Sequence, residues 1–215
     1  MLVAGEQTAG RGRLARKWES PAGTSVAMSL AVEPKQAGEH WGWLSLLAGV
    51  AVAAAIDELA PDEVGVGLKW PNDVLIAGKK VCGILSERID HDGRAFAVVG
   101  IGINLALEEA ELPVAHATSL ALAGFDCSTT QVVAGVLKHF AELFRIWERD
   151  GHLRDAYVER CTSIGADLTI TLPDGARIDG TGIGVDTTGA LIVETAHGPR
   201  TYCVGDVVHA TISRA

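Results

Sequence analysis

The sequence predicts an α+β fold, one larger domain with a small all-β domain appended at its C-terminal end. Three observations carry this. Two long helical patterns alternate with strand-like segments up to about residue 160. From Gly165 onward only short β-rich runs and turns follow. Apolar residues make up 48% and charged residues 21% of the 215, the balance of a chain that buries a full core.

The elements follow in order. Residues 1–5 read as the end of a strand and residues 6–23 as a Gly- and Arg-rich loop. Over 24–33 the small residues Ser25, Ala27, Ser29 and Ala31 alternate with Val26, Met28, Leu30 and Val32, the period of a half-buried strand. Residues 39–59 read as a long helix stopped by Pro61. Its uncharged apolar run, 41–56, is shorter than the ~20 residues of a membrane span, so a buried helix is expected. Strands are predicted at 65–69, 73–76, 80–90 and 95–103, the last two joined by a hairpin at Asp90-His-Asp-Gly93. Ser128 suits the N-cap of a second long helix. In it Val132, Val136, Leu137, Phe140, Leu143, Phe144 and Trp147 form one apolar stripe. A short helix covers 152–161. The runs 167–172, 176–185, 190–195 and 200–204, with turns at Pro173-Asp-Gly175 and Asp186-Thr-Thr-Gly189, suggest a small barrel or sandwich. The domains are accordingly 1–162 and 163–215.

The net charge of −9 argues against nucleic acid or an acidic membrane surface as partner. Against it, Arg11, Arg13, Arg16 and Lys17 cluster, which points to a local anion site. Cys82, Cys127, Cys161 and Cys203 lack metal-ligand spacing and read as small buried hydrophobes in a reducing compartment. The histidines form no HxH or HExxH pair, so no protein-held metal is expected. Residues 1–6 have no signal-peptide character, and a cytoplasmic location is expected.

Four segments could carry chemistry. In Gly5-Glu-Gln-Thr-Ala-Gly-Arg-Gly-Arg13, followed by Arg16-Lys-Trp18, Gly10 and Gly12 free the backbone for close approach. Arg11 and Arg13 offer planar donors to phosphate or carboxylate; a solvated surface loop is the plain alternative. In Leu68-Lys-Trp-Pro-Asn-Asp-Val74, Pro71 breaks strand pairing, and Asn72 and Asp73 turn the chain while presenting oxygens. In Gly78-Lys-Lys-Val-Cys-Gly-Ile-Leu-Ser-Glu87, Lys80 enters an apolar strand, where an exposed edge lysine is the alternative. In Val99-Gly-Ile-Gly-Ile-Asn104, alternate glycines leave a strand face bare, as if something flat lay against it. Neither GxxxxGK[ST] nor GxGxxG is present, so a nucleotide would bind without a P-loop or Rossmann turn.

In this order the four segments resemble the catalytic domain of the biotin protein ligases, and Val204-Gly-Asp-Val-Val-His209 resembles the close of that family's SH3-like C-terminal domain. The resemblance implies a mixed sheet flanked by helices, related to the core of class II tRNA synthetases. It implies ATP-dependent activation of biotin, with magnesium accompanying ATP, and transfer to a lysine of a biotin carboxyl carrier protein. It also implies roles. Gln7, Gly10, Arg11, Gly12 and Arg13 would contact biotin, with Gly83, Gly100 and Gly102 flooring its pocket. Lys80, Arg11 and Arg13 would act on the reacting groups. Trp70, Asn72, Asp73 and Asn104, with the same arginines, would form the ATP side. Arg16 and Trp18 would order the loop. The family's Ser-Thr-Asn-type segment, which holds the biotin ureido ring, and the winged helix-turn-helix of its repressor members have no room before Met1. Weak biotin binding is therefore expected of residues 1–215 alone. A lipoate ligase of the same fold, or a fragment that only binds, are the competing expectations.

Overall fold

The computed structural model describes residues 1–13, 16–61 and 64–209. Among these residues, six antiparallel-paired strands form the main sheet in the order β1-β4-β8-β7-β6-β5. They are β1 (Leu2–Ala4), β4 (Ser25–Val32), β5 (Val66–Lys69), β6 (Asp73–Ile76), β7 (Lys79–His91) and β8 (Arg94–Asn104). Among the described residues, parallel pairing enters only at isolated bridges, Leu68 with Cys161 and Lys80 with Ala117. The predicted hairpin at residues 90–93 joins β7 to β8, with His91 opposite Arg94.

One face of the sheet is packed by α1 (Trp43–Leu59), entered through a 3-10 turn at Gly38–Gly42. Val26, Met28, Leu30, Val99, Ile101 and Ile103 meet it in a single core. The stretch Gly38–Leu59 is long and apolar enough to cross a membrane. Its apolarity has another explanation: α1 is the middle layer, buried between the sheet and α2 (Thr129–Asp150). Gly135 lies against Ala55, so the two helices approach closely. Ser128 caps α2 through a reciprocal pair with Gln131, and Gly151 ends it in the left-handed conformation. The predicted stripe is the packed face, with Val132, Val136, Phe140 and Trp147 fully buried.

Three expectations change. Residues 6–23 are not all loop: β2 (Gln7–Arg11) pairs with β3 (Lys17–Ser20) in a ribbon over the sheet. Gly10 permits it, because a Cβ there would collide with the Trp18 carbonyl oxygen. The short helix shrinks to α3 (Arg154–Val158). The chain after it is drawn to the β5 edge, where the Leu68 amide donates to Arg160 O (2.8 Å) and the Thr162 amide to Leu68 O (2.7 Å). Among the described residues the C-terminal sheet has five strands, in the order β12-β11-β10-β9-β13. These are β9 (Asp167–Thr171), β10 (Arg177–Val185), β11 (Leu191–Thr195), β12 (Gly198–Tyr202) and β13 (Asp206–His209). Four residues of β13 are too few for alternation to announce a strand; pairing with β9 makes it one.

Candidate active site

The sheet face opposite α1 has a bare strip. Ala27 on β4, Gly102 on β8 and Gly83 on β7 are register partners across three strands. Trp18, projecting from β3, lies flat on this strip. A Cβ on Gly102 would stand 2.6 Å from the indole, and one on Gly83 2.9 Å from it. The expectation of something flat against the alternate glycines holds for Gly102. Gly100 is different: a Cβ there would meet only Leu85 O, at an ordinary 3.5 Å.

Lys80 borders the strip and is not an exposed edge lysine. The β6–β7 register slips between Val74 and Leu75, and such a bulge re-aims the side chains around it. The Lys80 amide donates to His116 O and its carbonyl accepts from the Thr118 amide, both at 2.8 Å. Its Nζ lies 2.5 Å from Asp73 Oδ1 and 5.7 Å from the centre of the Trp18 ring. Both members of the pair are about four-fifths buried, so the interaction is screened less than a surface pair.

Three buried polar groups at this face, Trp18 Nε1, Ser20 Oγ and Ser25 Oγ, have no hydrogen-bond partner among the described residues. Ser25 pairs with Asn104 one step along from Ala27 and Gly102. Each such group costs about 1–3 kcal/mol unless something polar meets it. The two serines were missed in the sequence. For Ser25 the readable signal was the run of small residues at 25, 27, 29 and 31, all on one face; Ser20 had none.

The other predicted residues divide into held and outward-facing. The Asn72 amide donates to Ile84 O at 2.8 Å, and buried Asn104 donates to Thr118 O at 2.9 Å. Trp70 is buried and its indole N–H donates to Gly189 O at 3.1 Å. Trp70, Pro71 and Asn72 line a cleft of about 270 Å³ with Arg13, Thr188–Ala190 and Cys203. Arg13 donates to Gly205 O at 3.0 Å, so the loop is tied to the C-terminal sheet. Arg11 pairs with Glu87 at 3.0 Å on the surface. Gln7 and Arg16 are exposed, and the Gly12 amide closes a turn onto Arg16 O at 2.7 Å. Leu14 and Ala15 of the same loop lie outside the described residues. Of the cysteines, Cys82 and Cys161 are buried as expected, whereas Cys127 is half-buried and Cys203 is exposed at the cleft.

Residues 1–104, which hold the main sheet and its glycine strip, match the Biotin/lipoate A/B protein ligase family. Over 97% of its length the chain is 36% identical to the biotin–[acetyl-CoA-carboxylase] ligase of Mycobacterium tuberculosis, spanning 78% of that protein. It is 34% identical over 96% of its length to the bifunctional ligase/repressor BirA of Bacillus subtilis, of which it spans 65%. Its structure superposes on the Aquifex aeolicus biotin protein ligase in complex with biotin and ATP. That match has a TM-score of 0.79 and 28% identity over 97% of this chain and 87% of the other. The Leishmania major ligase in complex with biotinyl-5-AMP gives 0.62 and 27% over the same shares. The chain belongs to the biotin protein ligase family.

Proposed function

We propose that this chain condenses biotin with ATP to biotinyl-5'-AMP and pyrophosphate, then passes the biotinyl group to a carrier-protein lysine and releases AMP. The observation that carries the reading is Lys80, a largely buried cation at the edge of a strip that carries nothing larger than the Ala27 methyl. In the first step a carboxylate oxygen attacks the α-phosphorus and the bond to pyrophosphate breaks, so two anions must be brought together. Lys80 Nζ can meet both the carboxylate and an α-phosphate oxygen, offsetting their repulsion and the charge that builds in the transition state. Arg11 and Arg13 would turn from Glu87 and Gly205 towards the phosphates. Gly83 and Gly102 leave room for a thin ligand, and the orphaned groups of Ser20, Ser25 and Trp18 suit a polar ring such as the ureido group. The Trp18 indole must shift to admit it, then serves as its outer wall.

Magnesium would arrive with ATP. Asp73 is a single carboxylate, which fits an ion held mainly by nucleotide phosphates, and the ion would neutralise charge on the departing pyrophosphate. Among the described residues there is no group of three or more metal-ligating side chains. Biotinyl-AMP is a mixed anhydride open to hydrolysis, and the β2–β3 ribbon would exclude water until the carrier lysine attacks. In that second step the amine nitrogen attacks the acyl carbon, AMP leaves and the amine loses a proton.

We divide the chain at 162/163, where the segment paired with β5 gives way to the C-terminal sheet. We place the protein in the cytoplasm, in keeping with its unpaired cysteines. A biotin carboxyl carrier protein domain is the proposed acceptor. The test is formation of labelled biotinyl-AMP from labelled biotin and ATP, followed by transfer to such a domain. Activation of lipoate in preference to biotin would overturn the substrate assignment.

A further inference from the structure

A hydrogen-bonded relay runs from the last described strand of the C-terminal sheet into the Lys69–Asp73 turn. The Trp70 amide donates to Ser163 Oγ at 3.2 Å, and Ser163 Oγ lies 3.0 Å from His209 Nε2. Ser163 is fully buried. It has little room to shift, because Gly182 of β10 packs against it so tightly that a Cβ would strike the Ser163 carbonyl. The hydroxyl oxygen already accepts from the Trp70 amide, so its own hydrogen is free to donate to Nε2 of a neutral imidazole. The Cys161 thiol also touches this hydroxyl. Lys69 is the charged group facing His209, whose register partner on β9 is the apolar Leu168. Burial and Lys69 both lower the imidazole's pKa, which favours the neutral form the relay needs.

We propose that His209 is a positioning residue for the nucleotide half of the reaction. Through Ser163 it fixes the Trp70 amide, and with it the Pro71–Asn72–Asp73 turn that presents the partner of Lys80. His209 meets Ser163, whereas the atoms nearest Gly83, Gly100 and Gly102 belong to Trp18, Lys80 and Leu85, so the effect should fall on ATP and spare biotin. The inference rests on the adenylating reading above.

The experiment compares wild type, His209→Ala, His209→Gln and Ser163→Ala in biotinyl-AMP formation, alongside amide exchange at residues 70–73. His209→Ala should raise the KM for ATP roughly five- to tenfold, the scale of one lost hydrogen bond, with the KM for biotin within about twofold. His209→Gln, whose side-chain carbonyl can accept the same hydroxyl hydrogen, should recover most of the loss. Exchange at 70–73 should quicken in His209→Ala whether or not the chain is active. Ser163→Ala deletes a single oxygen, should reproduce the pattern, and serves if His209→Ala does not fold. Unchanged ATP KM and unchanged exchange would overturn the inference, as would equal rises in both KM values. A wild type that forms no adenylate while exchange still responds to position 209 would overturn the adenylating reading and leave the relay standing.

Discussion

Lys80 and Asp73 meet at 2.5 Å although they are not register partners: Asp73 lies opposite Gly83, and Lys80 opposite Leu75. The irregularity between Val74 and Leu75 brings their side chains together beside the glycine strip. The arrangement holds the Lys80 cation against the strip, so Lys80 itself needs little reorientation when the two anions meet.

Lys80→Ala should therefore cut biotinyl-AMP formation by about 100-fold or more, the scale of losing one charge-stabilising donor in a closed site. Far-ultraviolet circular dichroism should be unchanged. Near-normal adenylate formation would remove Lys80 from the chemistry.

The glycine strip makes a contrast within one strand. Gly102→Ala sets a methyl 2.6 Å from the Trp18 indole, whereas Gly100→Ala meets ordinary contacts. Gly102→Ala should weaken biotin binding by about tenfold or more through overpacking, and Gly100→Ala by less than about threefold. Calorimetric titration separates the two, and equal losses would mean that Gly100 shares the floor after all.

Trp18 should report occupancy. Its ring lies on the strip, so biotin should change tryptophan fluorescence in the wild type and leave Trp18→Phe nearly unaffected. A change of the same size in both would place the responding indole elsewhere, among Trp41, Trp43, Trp70 and Trp147.

His209 also predicts a pH dependence of stability. Burial and Lys69 hold its pKa below the ordinary 6.5, so near that pH the unfolded chain binds more protons than the folded one. Its contribution is fully present above about pH 6.5 and is lost as pH falls from there through the lower folded-state value. Urea unfolding of wild type and His209→Gln between pH 5 and 8 gives the test. The difference between them should be flat above about pH 6.5 and should change in favour of the variant on acidification; parallel curves would sink the assignment.

The thiols should react in sequence. Cys203 is exposed, whereas Cys82 and Cys161 are buried with raised pKa values. An aromatic disulfide reagent should modify Cys203 first in native protein and reach Cys82 and Cys161 only on unfolding. Cys203→Ser should abolish the fast phase.

The sequence by itself determined what is local. The period-2 run at 24–33, the Ser128 cap and the apolar stripe of α2 are set by neighbours within one or two turns of chain, and all are found where they were read. So is the bare face at Gly102, read from the alternating glycines of one strand, whereas the roles of Gly83 and Lys80 came from the family resemblance and not from local pattern. What only the tertiary structure decided depends on residues far apart in the chain. The β2–β3 ribbon looked like loop because neither half has an apolar face until Trp18 finds Gly102 to lie on. Ser20 and Ser25 became notable only when burial left them without partners. Trp70, read as an ATP contact, is buried with its indole committed to Gly189, and Ser163 and His209 acquired a place only when β13 was brought beside the Trp70 turn. A side chain's chemistry is written in the sequence; whether it faces a ligand, a carbonyl or another domain is settled by which surfaces the folded chain brings together.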